Sequence, residues 1–312
     1  MTISTLFRQP WAWAWIAAAA AFAGTAALSA AGGLALLAAA LTFASFSVMV
    51  GLGQMFVITM GPGNADLSIP AVMTLAGTLS LKFMDGAEGW GLAGLMIAIG
   101  VGIGCGIGNF VLIRLLAIPP IIATLSSSFL YQSVAIWSNR GLRVKPPESL
   151  AQFSVGATFG VPNMALVALL LTVLAWVALE RGLYGRWISA IGQNSRAARL
   201  SGLPVEGARA LTYVLCATLA GLTGFLLACF SGGAALNMGT EYLLMSIAVV
   251  VIGGSSIAGG KSNVPGIWAG ALFLFLIVSM LNSWGVGAGA RLILTGLIII
   301  AIVAAASGRS RA

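Results

Sequence analysis

Asp66 is the acid whose setting most invites chemistry. It stands in Asn64-Ala65-Asp66-Leu67-Ser68-Ile69-Pro70, at the edge of a long apolar stretch. An aspartate at the centre of a membrane helix costs about 2.5–3.5 kcal/mol on insertion scales. Such a group therefore sits near an interface, caps a helix or lines a wet cavity. Capping fits, because Asp66 or Ser68 can accept backbone N–H bonds and Pro70 suits a first helical turn. A cavity fits too: Asp66, Pro70, Thr74 and Thr78 recur every four residues and would put one polar stripe on a helix. Asn64, Gln54 and Asn109 can join that stripe. Thr124, Ser128 and Gln132 share a face by the same spacing. Their hydroxyls either bond back to their own helix or line a neutral path for a polyol.

Other chemistries fall away. The chain has no histidine, which removes Ser-His-Asp and Cys-His catalysis, histidine proton relays and most zinc and haem sites. Cys105, Cys216 and Cys229 form no CxxC and lie in apolar runs, so they read as small core residues, and no metal site is expected. The stretch VVVIGGSSIAGGKS at 249–262 looks like a strand and a phosphate-cradling loop. A P-loop needs G-x-x-x-x-G-K-[ST], and here Ser255 stands where the first glycine must be. The only aspartates, Asp66 and Asp85, lie far upstream, so nothing would hold magnesium. We read the stretch as a tight turn with Lys261 at its end, and expect no cofactor bound by this chain.

These residues must be positioned by membrane helices. Of 312 residues 60% are apolar and only 7% charged, and mean hydropathy is +1.05. Soluble domains carry about 25% charged residues, so this chain cannot clothe a water-facing surface. The net charge of +8 comes from 15 basic residues scattered between apolar runs, which make no nucleic-acid patch. The fold class expected is all-α, one polytopic membrane domain over 1–312. Apolar runs place about ten spans at 11–30, 34–60, 66–82, 90–117, 120–137, 161–179, 210–230, 242–257, 264–282 and 290–306. The third, fifth and eighth are short or polar and read as broken or re-entrant.

With the N-terminus inside, Arg8, Arg114, Arg181, Arg186, Arg196, Arg199, Arg209, Lys261, Arg309 and Arg311 face the cytoplasm. Lys82, Arg140, Arg143, Lys145 and Arg291 then lie outside. That bias puts both termini in the cytoplasm. Glycine totals 41 residues. Gly100, Gly104 and Gly108 recur every four residues, as do Gly102 and Gly106, and Ala217, Gly221 and Gly224 make another small-residue stripe. Such stripes let helix backbones approach closely in lipid. The basic segment 181–209 contains a short helix at 195–203. It anchors the inside face or docks a soluble partner.

Four stretches carry a resemblance. They are Gly63-Asn64-Ala65-Asp66-Leu67-Ser68-Ile69-Pro70; Ile118-Pro119-Pro120-Ile121-Ile122-Ala123-Thr124-Leu125; the run from Gly185-Arg186 through Gly192-Gln193-Asn194 to Gly202; and Ile252-Gly253-Gly254-Ser255-Ser256-Ile257-Ala258-Gly259-Gly260. On these the chain resembles the permease subunits of bacterial ABC importers of the ribose/xylose/arabinose/galactose class. The resemblance implies a multi-pass protein of the bacterial inner membrane that pairs as a homodimer or heterodimer. It implies a cytoplasmic ATP-binding subunit docked on 181–209, with Gly192, Asn194, Arg196, Arg199 and Gly202 at the contact. A periplasmic solute-binding protein would deliver the solute. Ala65 and Pro70 depart from the usual pattern, and Ser195-Arg196 stands where an acidic pair is common, which suits one half of a heterodimer. An ion-coupled carrier or a channel is the competing class, and a nucleoside, an amino acid or a signalling sugar the competing cargo.

Overall fold

The structure, a computed structural model, describes residues 10–28, 32–139 and 144–309. Arg8, Arg140, Arg143 and Arg311, and with them the placement of both termini, lie outside the described residues.

The chain is a helical bundle. Its apolar helices are α1 (Pro10–Leu28), α2 (Gly33–Thr59), α3 (Ile69–Met84), α4 (Gly91–Leu115) and α5 (Pro120–Ser138). A short α6 (Glu148–Val155) and a two-residue hairpin, β1 (Ala157–Thr158) with β2 (Val161–Pro162), lead into α7 (Asn163–Trp176), which ends in a π turn at Val177–Arg181. Then come α8 (Leu183–Gln193), α9 (Ser195–Leu200), α10 (Val205–Phe230), α11 (Tyr242–Ile252), α12 (Val264–Ser283) and α13 (Ala288–Arg309). Prolines start several of them, with Pro70, Pro120 and Pro265 in first turns, where a missing N–H costs nothing. Five segments are long and apolar enough to cross a membrane: Gly33–Thr59, Gly91–Leu115, Asn163–Arg181, Val205–Phe230 and Val264–Ser283. The expected all-α polytopic architecture stands. The sequence reading omitted α6 and the hairpin, and ran the eighth span to 257, where the helix ends at Ile252. At 11 residues, α11 rises only about 16 Å, too short to cross a hydrocarbon core of about 30 Å by itself.

α10 is the axle. It packs on α2, α3 and α4, while α12 joins α1 to the body. The close approaches are made by glycine. A methyl group on Gly102 would meet the backbone at Ala217 and Thr218, and one on Gly106 would meet Tyr213 and Val214. Gly221 and Gly224 of α10 abut the backbones of Ala98 and Met73 in return. Of the two glycine registers in α4, the structure thus uses Gly102 and Gly106, whereas Gly100 and Gly104 face open space. Large apolar side chains point outward along α5, with Phe129, Leu130 and Trp137 all more than 60% exposed, as a helix against lipid or a second copy requires.

Candidate functional site: a polar knot and a connector

The 61–68 break between α2 and α3 folds into the bundle. Asp66 is fully buried. Its Oδ1 accepts from the Ser68 backbone N–H at 2.8 Å and from the Ser68 hydroxyl at 2.6 Å. That is an Asx turn leading into α3, whose N-cap, Ser68, makes no side-chain cap bond of its own. The Asn109 amide of α4 donates to Ser68 Oγ at 2.8 Å and, more distantly, to both Asp66 oxygens at 3.4 and 3.5 Å. Gln54 of α2 accepts from the Asp66 backbone N–H at 3.1 Å. From α5, Thr124 Oγ1 accepts from the Leu67 N–H at 3.0 Å, and the Ser127 hydroxyl donates to Asn109 Oδ1. Tyr131 caps the far side by donating to the Cys105 carbonyl at 2.9 Å. Asn64 accepts from Tyr213 of α10 at 3.3 Å and donates to the Gly61 carbonyl at 3.1 Å. One irregular loop is thereby tied to α2, α4, α5 and α10. In an apolar interior, irregular backbone persists only where its polar groups are satisfied in this way.

The structure brings Gln54, Asn64, Asp66, Ser68, Asn109 and Thr124 together. It leaves out Thr74, which is buried but bonds back to the Pro70 carbonyl at 2.9 Å. Ser128 is also apart, bonding back to Leu125 at 2.6 Å. Ser127 and Tyr131 take its place. Their signal was in the sequence: 124, 127 and 131 follow helical spacing as well as 124, 128 and 132 do, and only packing against Asn109 decides between the faces. Among the described residues no group of three metal-ligating side chains forms. The knot can hold and position, and the buried Cys216 thiol of α10 joins it with a hydrogen bond to Asp66.

The second constellation is the connector. α8 buries Gly185, Ile188, Ile191 and Gly192 along one face, the helical spacing of an amphipathic surface helix. Asn194 ends it and caps α9, its side chain accepting from the N–H groups of Arg196 at 3.1 Å and Ala197 at 2.9 Å. α9 closes at Gly202, whose φ of 81° is the left-handed conformation that glycine adopts without strain. On α9, Arg196, Arg199 and Leu200 are exposed, Leu200 to 83%. Arg199 pairs with Glu206 at 2.8 Å, and the same carboxylate takes Arg209 at 3.4 Å and Arg114 at 3.5 Å. Glu206 was not among the residues expected here. Beneath α8, the backbones of Gly61, Gly192, Gly259 and Gly260 meet, and the Gly260 N–H donates to the Thr59 carbonyl at 2.9 Å. The residues 249–252 that looked like the strand of a P-loop are helical in α11.

A bundle of apolar helices with a buried polar break and an exposed amphipathic connector is the architecture of a membrane transport component. The chain matches the family described as branched-chain amino acid transport system / permease component over residues 34–303, and it belongs to that family. It is 31% identical over 267 residues to the probable ABC transporter permease protein y4mJ of Sinorhizobium fredii, covering 85% of this chain and 79% of the other. It is 30% identical over 264 residues to the ribose import permease protein RbsC of Escherichia coli K12, covering 83% and 81%. It is 33% identical over 230 residues to the galactofuranose transporter permease protein YtfT of the same organism, covering 72% and 66%. No solved structure matches the chain. The expected membership of the sugar-importer permeases is shown, and with it the role of a membrane permease component.

Proposed function

We propose that this chain is the membrane-spanning part of an ATP-driven sugar importer of a bacterial inner membrane, with its engine in a separate cytoplasmic subunit. The observation that carries this is the seating of the connector. α9 presents Arg196, Arg199 and Leu200 outward, while α8 directly below packs backbone to backbone on the end of α2 and the 253–260 turn. A force applied to α9 would enter the bundle at Thr59, two residues before the break that holds Asp66. The knot fastens that break to α4, α5 and α10, so α2 to α5 would move as one body against their partner. Rigid-body rocking of this kind alternates outward and inward openings. Linkage then requires that solute delivery and ATP hydrolysis stimulate each other.

In this reading Gln54, Asn64, Asp66, Ser68, Asn109 and Thr124 position the pathway helices, with Thr74 and Ser128 on flanking faces. Gly192, Asn194, Arg196, Arg199 and Gly202 form the coupling element. A second permease copy supplies the other wall of the path along the exposed face of α5. A solute-binding protein delivers the sugar to the opposite side, both termini face the cytoplasm, the chain binds no metal or cofactor, and it catalyses no reaction of its own. The family name and the sugar-importing relatives support this assignment.

The test is topological. A cysteine placed at Leu200 should react with an impermeant maleimide only from the cytoplasmic side, and the ATPase subunit should protect it. Labelling from the outside only, or no protection, would remove the coupling assignment. Cys105, Cys216 and Cys229 are buried and give a low background.

A further inference from the structure

A cavity of about 440 Å³ opens beside the C-terminal end of α10, at the opposite end of that helix from the connector. The ends of α3 and α5, the segment at 144–145 and the loop at 231–235 enclose it. Its volume falls in the range of small-molecule sites, about 300–1,000 Å³.

The lining is one-sided in its chemistry. Lys82 and Lys145 both line the cavity, and among the described residues neither makes an ion pair. Among the described residues no carboxylate and no aromatic ring lines it. Thr78 lines it as well; that residue is 3% exposed, and its hydroxyl is buried without a hydrogen-bond partner in the protein. That oxygen is closed off from the cavity, and the Ser231 hydroxyl and Asn139 amide supply the neutral polar side chains of its lining. Asn139 donates to the Ala234 carbonyl at 3.4 Å, which holds the 231–235 loop along the rim. Ammonium groups only donate. The Asn139 amide and the Ser231 hydroxyl suit the hydroxyls of any sugar, and the two unpaired ammonium groups add what a neutral sugar does not use, a seat for a carboxylate.

We propose that this cavity binds a polyhydroxylated carboxylate of monosaccharide size, a sugar acid, with Lys82 and Lys145 on the carboxylate and Ser231 and Asn139 on hydroxyls. That the bound molecule is the transported solute, received at the outer end of the pathway, rests on the function proposed above; the binding does not.

The experiment is calorimetric titration of the full chain in lipid nanodiscs, without an ATPase subunit, using gluconate and glucuronate as probes and glucose and acetate as comparators. At least one sugar acid is expected to bind saturably, tenfold or more tighter than glucose or acetate, and to weaken as salt rises. Lys82→Ala and Lys145→Ala should each weaken it at least threefold, and the double variant should abolish it. Both lysines are exposed, so these variants keep the fold. Ser231→Ala should weaken binding and keep its salt dependence, and Lys261→Ala, at the other end, should leave it unchanged. Equal binding of glucose or acetate, full binding by the double lysine variant, or no binding of either sugar acid would overturn the proposal. ATP-dependent uptake measured alongside separates the two readings. Its survival without sugar-acid binding removes the cavity assignment alone, and its absence with binding intact removes the transporter reading alone.

Discussion

Gly192 lies with its α-carbon against the carbonyl oxygen of Thr59, so close that a methyl group there would collide with that oxygen and with the Gly260 backbone N–H. This contact joins the connector to the end of a long apolar helix. It makes Gly192→Ala a sharp mechanical perturbation of the connector. Overpacking of this kind costs about 1–3 kcal/mol. The variant should melt earlier in detergent and lose sugar-stimulated ATP hydrolysis. Gly207→Ala is the control, since only Pro204 Cβ, at 3.9 Å, is near its added methyl, and it should leave both unchanged.

The Asp66 turn separates positioning from solute contact. Asn accepts the same backbone bond, so Asp66→Asn should transport normally. Asp66→Ala leaves the Ser68 N–H and hydroxyl without their acceptor in a buried site, at a cost of about 1–3 kcal/mol. Thermal unfolding and uptake assays on both variants check this. Loss of uptake in Asp66→Asn, with unchanged melting, would place the carboxylate on the pathway itself.

Ser127 and Ser128 differ in one respect that a pair of substitutions can read. Ser127 serves Asn109 inside the knot, and Ser128 serves only its own helix. Ser127→Ala should destabilise the protein by about 1 kcal/mol, leaving the Asn109 carbonyl only the longer bond from the Tyr131 hydroxyl at 3.1 Å. Ser128→Ala should stay within about 0.5 kcal/mol of the parent.

That pair also shows where sequence reading stops. Helix positions, the break at 61–68 and its likeness to a capped helix start were legible from apolar runs, proline and Asp66. So was the connector, from charge against an apolar background. Which face of α5 meets Asn109 was not, because two spacings fit one helix equally well. The choice between Gly102–Gly106 and Gly100–Gly104 was closed to the sequence for the same reason: only α10 on one side distinguishes them. Glu206 escaped because two of its three arginine partners, Arg114 and Arg199, come from other elements, and only Arg209 is three residues along its own helix. The hairpin before α7 is too short to leave any periodicity.

The arginines of α9 give the next test. Arg196→Glu with Arg199→Glu reverses the exposed charge and turns the Glu206 contact repulsive. Surface pairs of this kind contribute at most about 1 kcal/mol, so the variant should fold and insert normally. It should lose association with the ATPase subunit, read by co-purification. Normal association with coupled hydrolysis would remove these residues from the docking surface.

The central claim is that a separate subunit powers this chain. Its most direct measurement is uptake of a labelled sugar into liposomes containing the permease pair, its ATPase subunit and its solute-binding protein. Uptake against a gradient should require ATP and the ATPase subunit, and should be indifferent to imposed proton or sodium gradients. Accumulation by the permease alone, driven by an ion gradient, would contradict the account.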